Sequence, residues 1–109
     1  MSDDRIGLPA GASLAELQRY VHALEAMHGW LDADAARCCF LMGEEVGELF
    51  RAVRRLERAP DDAARVTQAG EEIVDVLNYL LAIANRLGID VEAAFREKNL
   101  RNQGRRWEA

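Results

Sequence analysis

The sequence lacks several features that define other protein classes. No apolar run within its 109 residues approaches the roughly 20 residues that span a bilayer, so we expect no membrane segment. The opening residues, MSDDRIG, hold no basic stretch followed by an apolar run, so we expect no secretory signal. No alternating run rich in Val, Ile and Thr is present, which argues against a β-sheet.

Cysteine is also scarce, and acidic residues outnumber basic ones, 19 to 14. The two cysteines, Cys38 and Cys39, are adjacent in a predicted helix, where neighbours cannot easily form a disulfide. We therefore expect reduced thiols that fill a core, in a cytoplasmic protein. The formal net charge is -5, which argues against binding of a nucleic-acid polymer through its phosphates. The C-terminal stretch KNLRNQGRRWEA is an exception, because it is locally basic.

Leu and Ala are abundant, and glycine and proline are sparse within the long segments. Half of the residues are hydrophobic and 30% are charged, which suits one soluble globular core. Composition and periodicity together predict an all-α domain. We expect residues 1–12 to form a flexible lead-in and residues 13–109 to form the domain.

Capping signals and periodicity predict four helices. Ser13 and Glu16 match a capping box at the start of the first helix. Asp32 or Asp34 can cap the second helix, which should run to about Arg58.

A short turn at Pro60 separates the second helix from the third. The third helix should cover about residues 62–87, with Gly88 just after its end. Asp90 then caps a short fourth helix over about residues 91–101. The second and third helices are expected to form a central antiparallel hairpin.

The third helix is apolar on nearly all sides after Gly70. A helix of this kind needs cover on several sides, and a chain with three other helices, one of them short, does not supply it. We therefore expect a homo-oligomer in which a second chain completes the bundle, at least a homodimer, with a homotetramer as a pair of dimers.

Four carboxylates lie where the helices should be apolar. Glu45 falls at the centre of the apolar face of the second helix, and Glu48 falls on the same side. Glu72 and Asp75 repeat the pattern in the third helix. The first pair precedes Pro60 by the same distance as the second pair follows it, so a hairpin places both pairs at one height.

Four carboxylates in an apolar cleft repel one another and lose hydration, so they need protons or cations. An all-oxygen cluster suits a hard cation such as Mg²⁺ or Mn²⁺. The simpler alternative is that offset helices turn these side chains to solvent or to arginines. A di-iron bundle is a weaker alternative, because it needs two Glu-x-x-His motifs and Glu25-x-x-His28 is a single one.

The segments GEEVGELF and GEEIVDVLNYLL resemble the signature of the MazG-like all-α nucleoside triphosphate pyrophosphohydrolases, in particular their small, single-domain, dCTP-pyrophosphatase-like branch. That signature is EExxE followed by ExxD. Here it corresponds to Glu44, Glu45 and Glu48, then to Glu72 and Asp75. The resemblance extends over roughly residues 13 to 107.

The resemblance implies Mg²⁺-dependent hydrolysis of (deoxy)nucleoside triphosphates between the α- and β-phosphates, in the service of nucleotide-pool housecleaning. It implies four metal ligands, namely Glu45, Glu48, Glu72 and Asp75. It also implies that Glu44, or another carboxylate of the cluster such as Glu45, orients or deprotonates the attacking water.

The resemblance further implies contacts to substrate. Lys98, Asn102 and Arg105 match the C-terminal K-x-x-x-N and Arg-rich segment, which implies phosphate binding. Trp30 matches an aromatic residue that stacks on the base in the dCTP-pyrophosphatase branch. A second aromatic residue of that branch is missing, so base preference does not carry over. If the protein is an oligomer, we expect Trp30 and the basic tail of one chain to contribute to the active site of another.

Two alternatives remain open from the sequence. Phosphoribosyl-ATP pyrophosphohydrolase shares the fold type and the acidic helices, and a substrate panel separates it from the first hypothesis. A non-catalytic helical regulator, which binds a metal or a partner protein, would show a missing ligand or a blocked pocket.

Overall fold

A computed structural model describes residues 6–105 of the chain. Four α-helices and no strand occur within this range, which confirms the predicted all-α class. The helices are α1 (Leu14–His28), α2 (Ala35–Arg58), α3 (Ala63–Leu87) and α4 (Val91–Gln103). The fourth helix ends slightly later than the sequence predicts.

The helix ends follow from local capping. Ser13 Oγ accepts from the Glu16 amide at 3.1 Å, and the Glu16 carboxylate accepts from the Ser13 amide, which confirms the capping box. Asp34, rather than Asp32, caps α2 by accepting from the Arg37 amide at 2.8 Å.

The helices α2 and α3 form the hairpin that the sequence predicts, and their pairing is the main contact of the fold. Residues 59–62 make the turn between them. Arg65 closes this turn, because its guanidinium donates to the Arg55 carbonyl and pairs with Asp62 at 3.4 Å.

Helix α1 packs on α3, and α4 packs mainly on α1. Gln18 joins these elements through three hydrogen bonds. Its side-chain nitrogen Nε2 donates to the Ile89 backbone carbonyl at 2.6 Å, and its side-chain oxygen Oε1 accepts from the Val91 backbone amide at 3.0 Å. The Asn85 side chain donates to the Gln18 carbonyl at 3.1 Å. The start of α4 is therefore held against the first half of α1.

The core of a single chain is small. Val21, Leu81 and Ala82 form its buried cluster, whereas many large apolar side chains are exposed. The radius of gyration is 16.5 Å, above the about 13 Å of a compact 100-residue domain. These features agree with the expectation of a second chain, which stays a prediction. None of the helices within residues 6–105 is both long and apolar enough to cross a membrane.

Candidate metal centre

Three carboxylates meet between the two helices of the hairpin. Glu45 of α2 and Glu72 and Asp75 of α3 each offer one oxygen, and these oxygens all lie within 4.8 Å of one another. Glu45 and Glu72 are half-buried, and Asp75 is more exposed. Such a set of oxygen donors can hold a divalent cation.

The group is electrostatically unfavourable without a cation. The pKa of Glu45 is raised, first by burial and then by the negative charges of Asp75 and Glu72. A cation between these carboxylates would remove the cause of repulsion, because it supplies the missing positive charge.

Glu72 provides a second, independent sign that this group suits a cation. Its Oε2 atom is buried and makes no hydrogen bond. A buried carboxylate oxygen without a partner destabilises the folded state, because folding removes its hydrogen bonds to water and no new hydrogen bond replaces them. The residues present therefore fit a bound metal ion at this position.

A cavity of about 500 Å³ adjoins the three carboxylates. This volume lies within the range of about 300–1,000 Å³ that small-molecule sites occupy. Glu45 and Asp75 line one part of it, and the remaining walls come from α1, α2, α3 and the loop between α1 and α2. These further lining residues are Val21, Leu24, Glu25, Gly29, Trp30, Asp32, Ala33, Cys38, Leu41, Asn78, Tyr79 and Ala82.

The sequence matches the MazG nucleotide pyrophosphohydrolase domain over residues 38–106, more than half of the chain. The chain belongs to this family. The matched range includes both acidic motifs and α4, whereas α1 and Trp30 precede it. Comparisons with curated proteins and with solved structures each found no match.

Two of the predicted carboxylates lie beside the group of three converging carboxylates rather than in it. Glu48 is exposed and forms an ion pair with Arg51 at 3.8 Å, although its charge still contributes to the raised pKa of Glu45. Glu44 is exposed on α2 next to Glu45. Neither Glu44 nor Glu48 is among the three carboxylates whose oxygens converge.

Trp30 lies at the cavity in its own chain. The His28 ring stacks on the indole, with 4.3 Å between the ring centroids and 17° between the planes. His28 is thus an aromatic neighbour of the cavity wall, and it is no part of the carboxylate group. Tyr79 lines the cavity as well, and burial followed by the charge of Glu45 raises the pKa of its phenol. The phenol therefore stays protonated at neutral pH and can donate a hydrogen bond.

Sequence reasoning missed the pairing of Glu25 with Arg86. The two side chains are 10% and 13% exposed, and two hydrogen bonds of 2.9 and 2.7 Å join them. One signal was available, because Tyr79, Ala82 and Arg86 follow helical spacing on the side of α3 that faces α1 and the cavity.

The predicted phosphate ligands of α4 do not reach the cavity of the same chain. Lys98, Asn102 and Arg105 are absent from its lining, because α4 packs mainly on α1. The Asn102 side chain donates to Asn99 at 3.2 Å and accepts from Arg105 at 3.5 Å. Within one chain, the structure thus brings together three carboxylates and Trp30 but leaves the basic residues apart.

Proposed function

We propose that the protein hydrolyses (deoxy)nucleoside triphosphates between the α- and β-phosphates, giving a nucleoside monophosphate and pyrophosphate. Clearance of unwanted nucleotides is the role we assign to this activity. The observation that carries the proposal is the group of three carboxylates at the edge of a cavity large enough for a nucleoside. Membership of the MazG family supports the reaction class.

Mg²⁺ is the proposed cofactor, with Mn²⁺ as a substitute. Glu45, Glu72 and Asp75 would hold it, because their oxygens already converge and Glu72 Oε2 has no other partner. Glu48 is the proposed fourth ligand, since it lies one helical turn after Glu45. When bound, the cation supplies positive charge to the phosphates and acidifies a nearby water.

The proton of the attacking water needs an acceptor. The water oxygen bonds to phosphorus, the bridging P–O bond breaks, and the released proton passes to a carboxylate. We assign this role to Glu44, which is exposed beside the carboxylate group, or to Glu45, which belongs to that group.

The cavity suits the base and sugar of the substrate. Trp30 offers an aromatic surface at its wall, while Asn78 and Tyr79 provide groups that can form hydrogen bonds. Stacking on one aromatic residue does not discriminate strongly between bases. The polar lining residues would therefore set the base preference.

The phosphates need positive charge beyond that of the cation. The cavity lining contains no lysine or arginine among residues 6–105. We propose that Lys98, Asn102 and Arg105 bind the phosphates, and that α4 of a second copy and the residues just after it deliver them. The exposed apolar residues of α3 support such a homodimer or homotetramer.

Product analysis over a substrate panel tests this function. The purified protein is incubated with each dNTP and NTP, a few modified nucleotides and phosphoribosyl-ATP, with Mg²⁺ or with EDTA. We expect equal amounts of monophosphate and pyrophosphate from at least one nucleotide, in Mg²⁺ alone. Glu45→Gln should abolish this turnover.

Glu57→Gln is the matched control, because it removes the same charge from an exposed site of α2 outside the carboxylate group. It should keep full activity. If phosphoribosyl-ATP is the single substrate that is hydrolysed, the protein is a phosphoribosyl-ATP pyrophosphohydrolase and the proposed substrate class is wrong. No turnover of any substrate by a folded, metal-binding protein would favour a non-catalytic regulator.

A further inference from the structure

Arg86 uses every hydrogen-bond donor of its guanidinium. The Nε group donates to the Ala33 carbonyl. Nη1 donates to Glu25 Oε1 at 2.9 Å and to the Ala82 carbonyl at 3.0 Å. Nη2 donates to Glu25 Oε2 at 2.7 Å and to the Trp30 carbonyl at 3.1 Å. An arginine has five N–H groups in one rigid plane, so this site is saturated.

Two of these acceptors belong to the loop between α1 and α2. That loop begins at Gly29, which has a left-handed backbone with φ of 72°, and it ends at Asp34, the cap of α2. Arg86 binds the loop near its start, at the Trp30 carbonyl, and near its end, at the Ala33 carbonyl. Both residues line the cavity beside the carboxylates.

The loop has few other means of holding Trp30 in place. Trp30 is 55% exposed, and its ring contact is with His28, which is itself exposed. The loop is bonded to α1 through the Trp30 amide, which donates to the Glu25 carbonyl at 2.9 Å. Glu25 therefore contacts both the backbone of Trp30 and the guanidinium that binds the same residue.

We propose that Arg86 is a positioning residue that fixes the Trp30 wall of the nucleotide cavity, with Glu25 holding its guanidinium in the required plane. This inference rests on the proposed function, since it assigns Arg86 to substrate affinity. Arg86 is itself absent from the cavity lining and from the carboxylate group. Its loss should therefore weaken nucleotide binding while leaving the chemical step nearly unchanged.

The geometry explains why an arginine is needed at this position. Two parallel bonds to one carboxylate fix the orientation of the guanidinium plane, and the remaining three N–H groups then point in set directions. A lysine carries three donors on a flexible stem. It can keep the charge pair with Glu25, but it cannot also bind the carbonyls of Trp30, Ala33 and Ala82.

Two variants separate positioning from folding. Arg86→Lys keeps the buried charge pair and loses loop contacts. The double variant Glu25→Met with Arg86→Met removes the pair without leaving an unpaired charge, and such apolar replacements of buried ion pairs commonly preserve stability. Arg65→Lys is the matched control, because Arg65 closes the other turn, between α2 and α3, through a carbonyl and a carboxylate.

The experiment has two readouts. All variants carry Trp107→Phe, so that Trp30 is the single tryptophan and its fluorescence anisotropy reports the mobility of the loop. Steady-state kinetics with the best nucleotide of the panel then give KM and kcat. Circular dichroism and Tm show which variants are folded.

We expect lower Trp30 anisotropy in both Arg86 variants, with KM raised about tenfold, as for loss of a base–aromatic stack, and with kcat little changed. Arg65→Lys should alter neither quantity. Unchanged anisotropy and KM in folded Arg86→Lys would overturn the proposal, as would a loss confined to kcat. Absence of turnover by the wild-type protein would reject the proposed function but not the role of Arg86. The anisotropy measurements would still decide whether Arg86 holds Trp30 in place.

Discussion

Glu45 on α2 faces Asp75 on α3 across the hairpin, and both carboxylates line the cavity that Trp30 closes at another side. The two residues are equally distant from Pro60 in the sequence, so the antiparallel hairpin places them at one height. Glu72 joins them with a buried oxygen that has no hydrogen-bond partner. The three converging carboxylates therefore adjoin the cavity of about 500 Å³.

Removal of one charge should stabilise the metal-free protein. Because burial and the neighbouring carboxylates raise the pKa of Glu45, the folded state disfavours its ionised form at pH 7. Glu45→Gln in EDTA should therefore raise Tm by roughly 4–8 °C, the shift that about 1 kcal/mol produces in a domain near this size. Differential scanning calorimetry measures the change.

The pH dependence of that effect follows from the direction of the pKa shift. A carboxyl whose pKa is raised on folding contributes stability below about pH 4.3, its unfolded value, and loses it as pH rises through the folded pKa. The advantage of Glu45→Gln should therefore shrink between pH 7 and pH 4. An advantage that is the same at both pH values, or a lower Tm of the variant at pH 7, would refute this account. Glu57→Gln serves as the exposed control.

Substitution of Trp30 should raise KM. Stacking of a base on an aromatic residue contributes about 1–3 kcal/mol, so Trp30→Ala should raise KM roughly 5- to 150-fold, and Trp30→Phe should raise it less. Leu31→Ala is the control, because Leu31 is exposed in the same loop and does not line the cavity. A fall in kcat with unchanged KM would show that Trp30 does not bind the base.

A charge on the outer face of α3 should separate the predicted oligomer. Ile73, Leu77 and Leu80 follow helical spacing and are all exposed in the single chain. Leu80→Glu should raise the dissociation constant tenfold or more, at about 1.4 kcal/mol per factor of ten. Light scattering after gel filtration measures the mass, with Thr67→Glu as the control at an exposed polar site of α3. A monomeric wild-type protein would rule out the proposed assembly.

The two cysteines should differ in reactivity. Cys38 is buried, and burial raises the pKa of its thiol, whereas Cys39 is exposed. Because the thiolate is the reactive form, Cys38 should react with a disulfide reagent roughly tenfold or more slowly than Cys39 at pH 8. Cys39→Ser should remove the fast phase. Two equally fast thiols would contradict the buried position of Cys38 at the cavity.

Local signals in the sequence were sufficient to predict the helices and the hairpin. Capping residues such as Ser13 and Asp34 act within one turn of helix, and the turn at Pro60 sets the register of α2 against α3. That register is enough to predict that Glu45, Glu72 and Asp75 meet.

The remaining parts of the site depend on how separate elements rotate and pack. Helical spacing places Arg86 on the same side of α3 as Tyr79, but the choice of Glu25 as its partner is set by the packing of α1 on α3. The position of α4 is another such case, since Gln18 of α1 binds its start and leaves Lys98 away from the cavity. Glu48 lies outside the group of converging carboxylates and forms an ion pair with Arg51, one turn away on the same helix.

The central claim is that Glu45, Glu72 and Asp75 hold a divalent cation. Electron paramagnetic resonance of Mn²⁺, which is visible when free, measures binding without any need for turnover. We predict saturable loss of the free signal with the wild-type protein. Affinity should be at least roughly tenfold weaker for Glu72→Gln, since even the loss of an outer-shell partner of a metal site costs about 10- to 100-fold. Glu57→Gln should bind with wild-type affinity. Equal binding by all three proteins would contradict the claim.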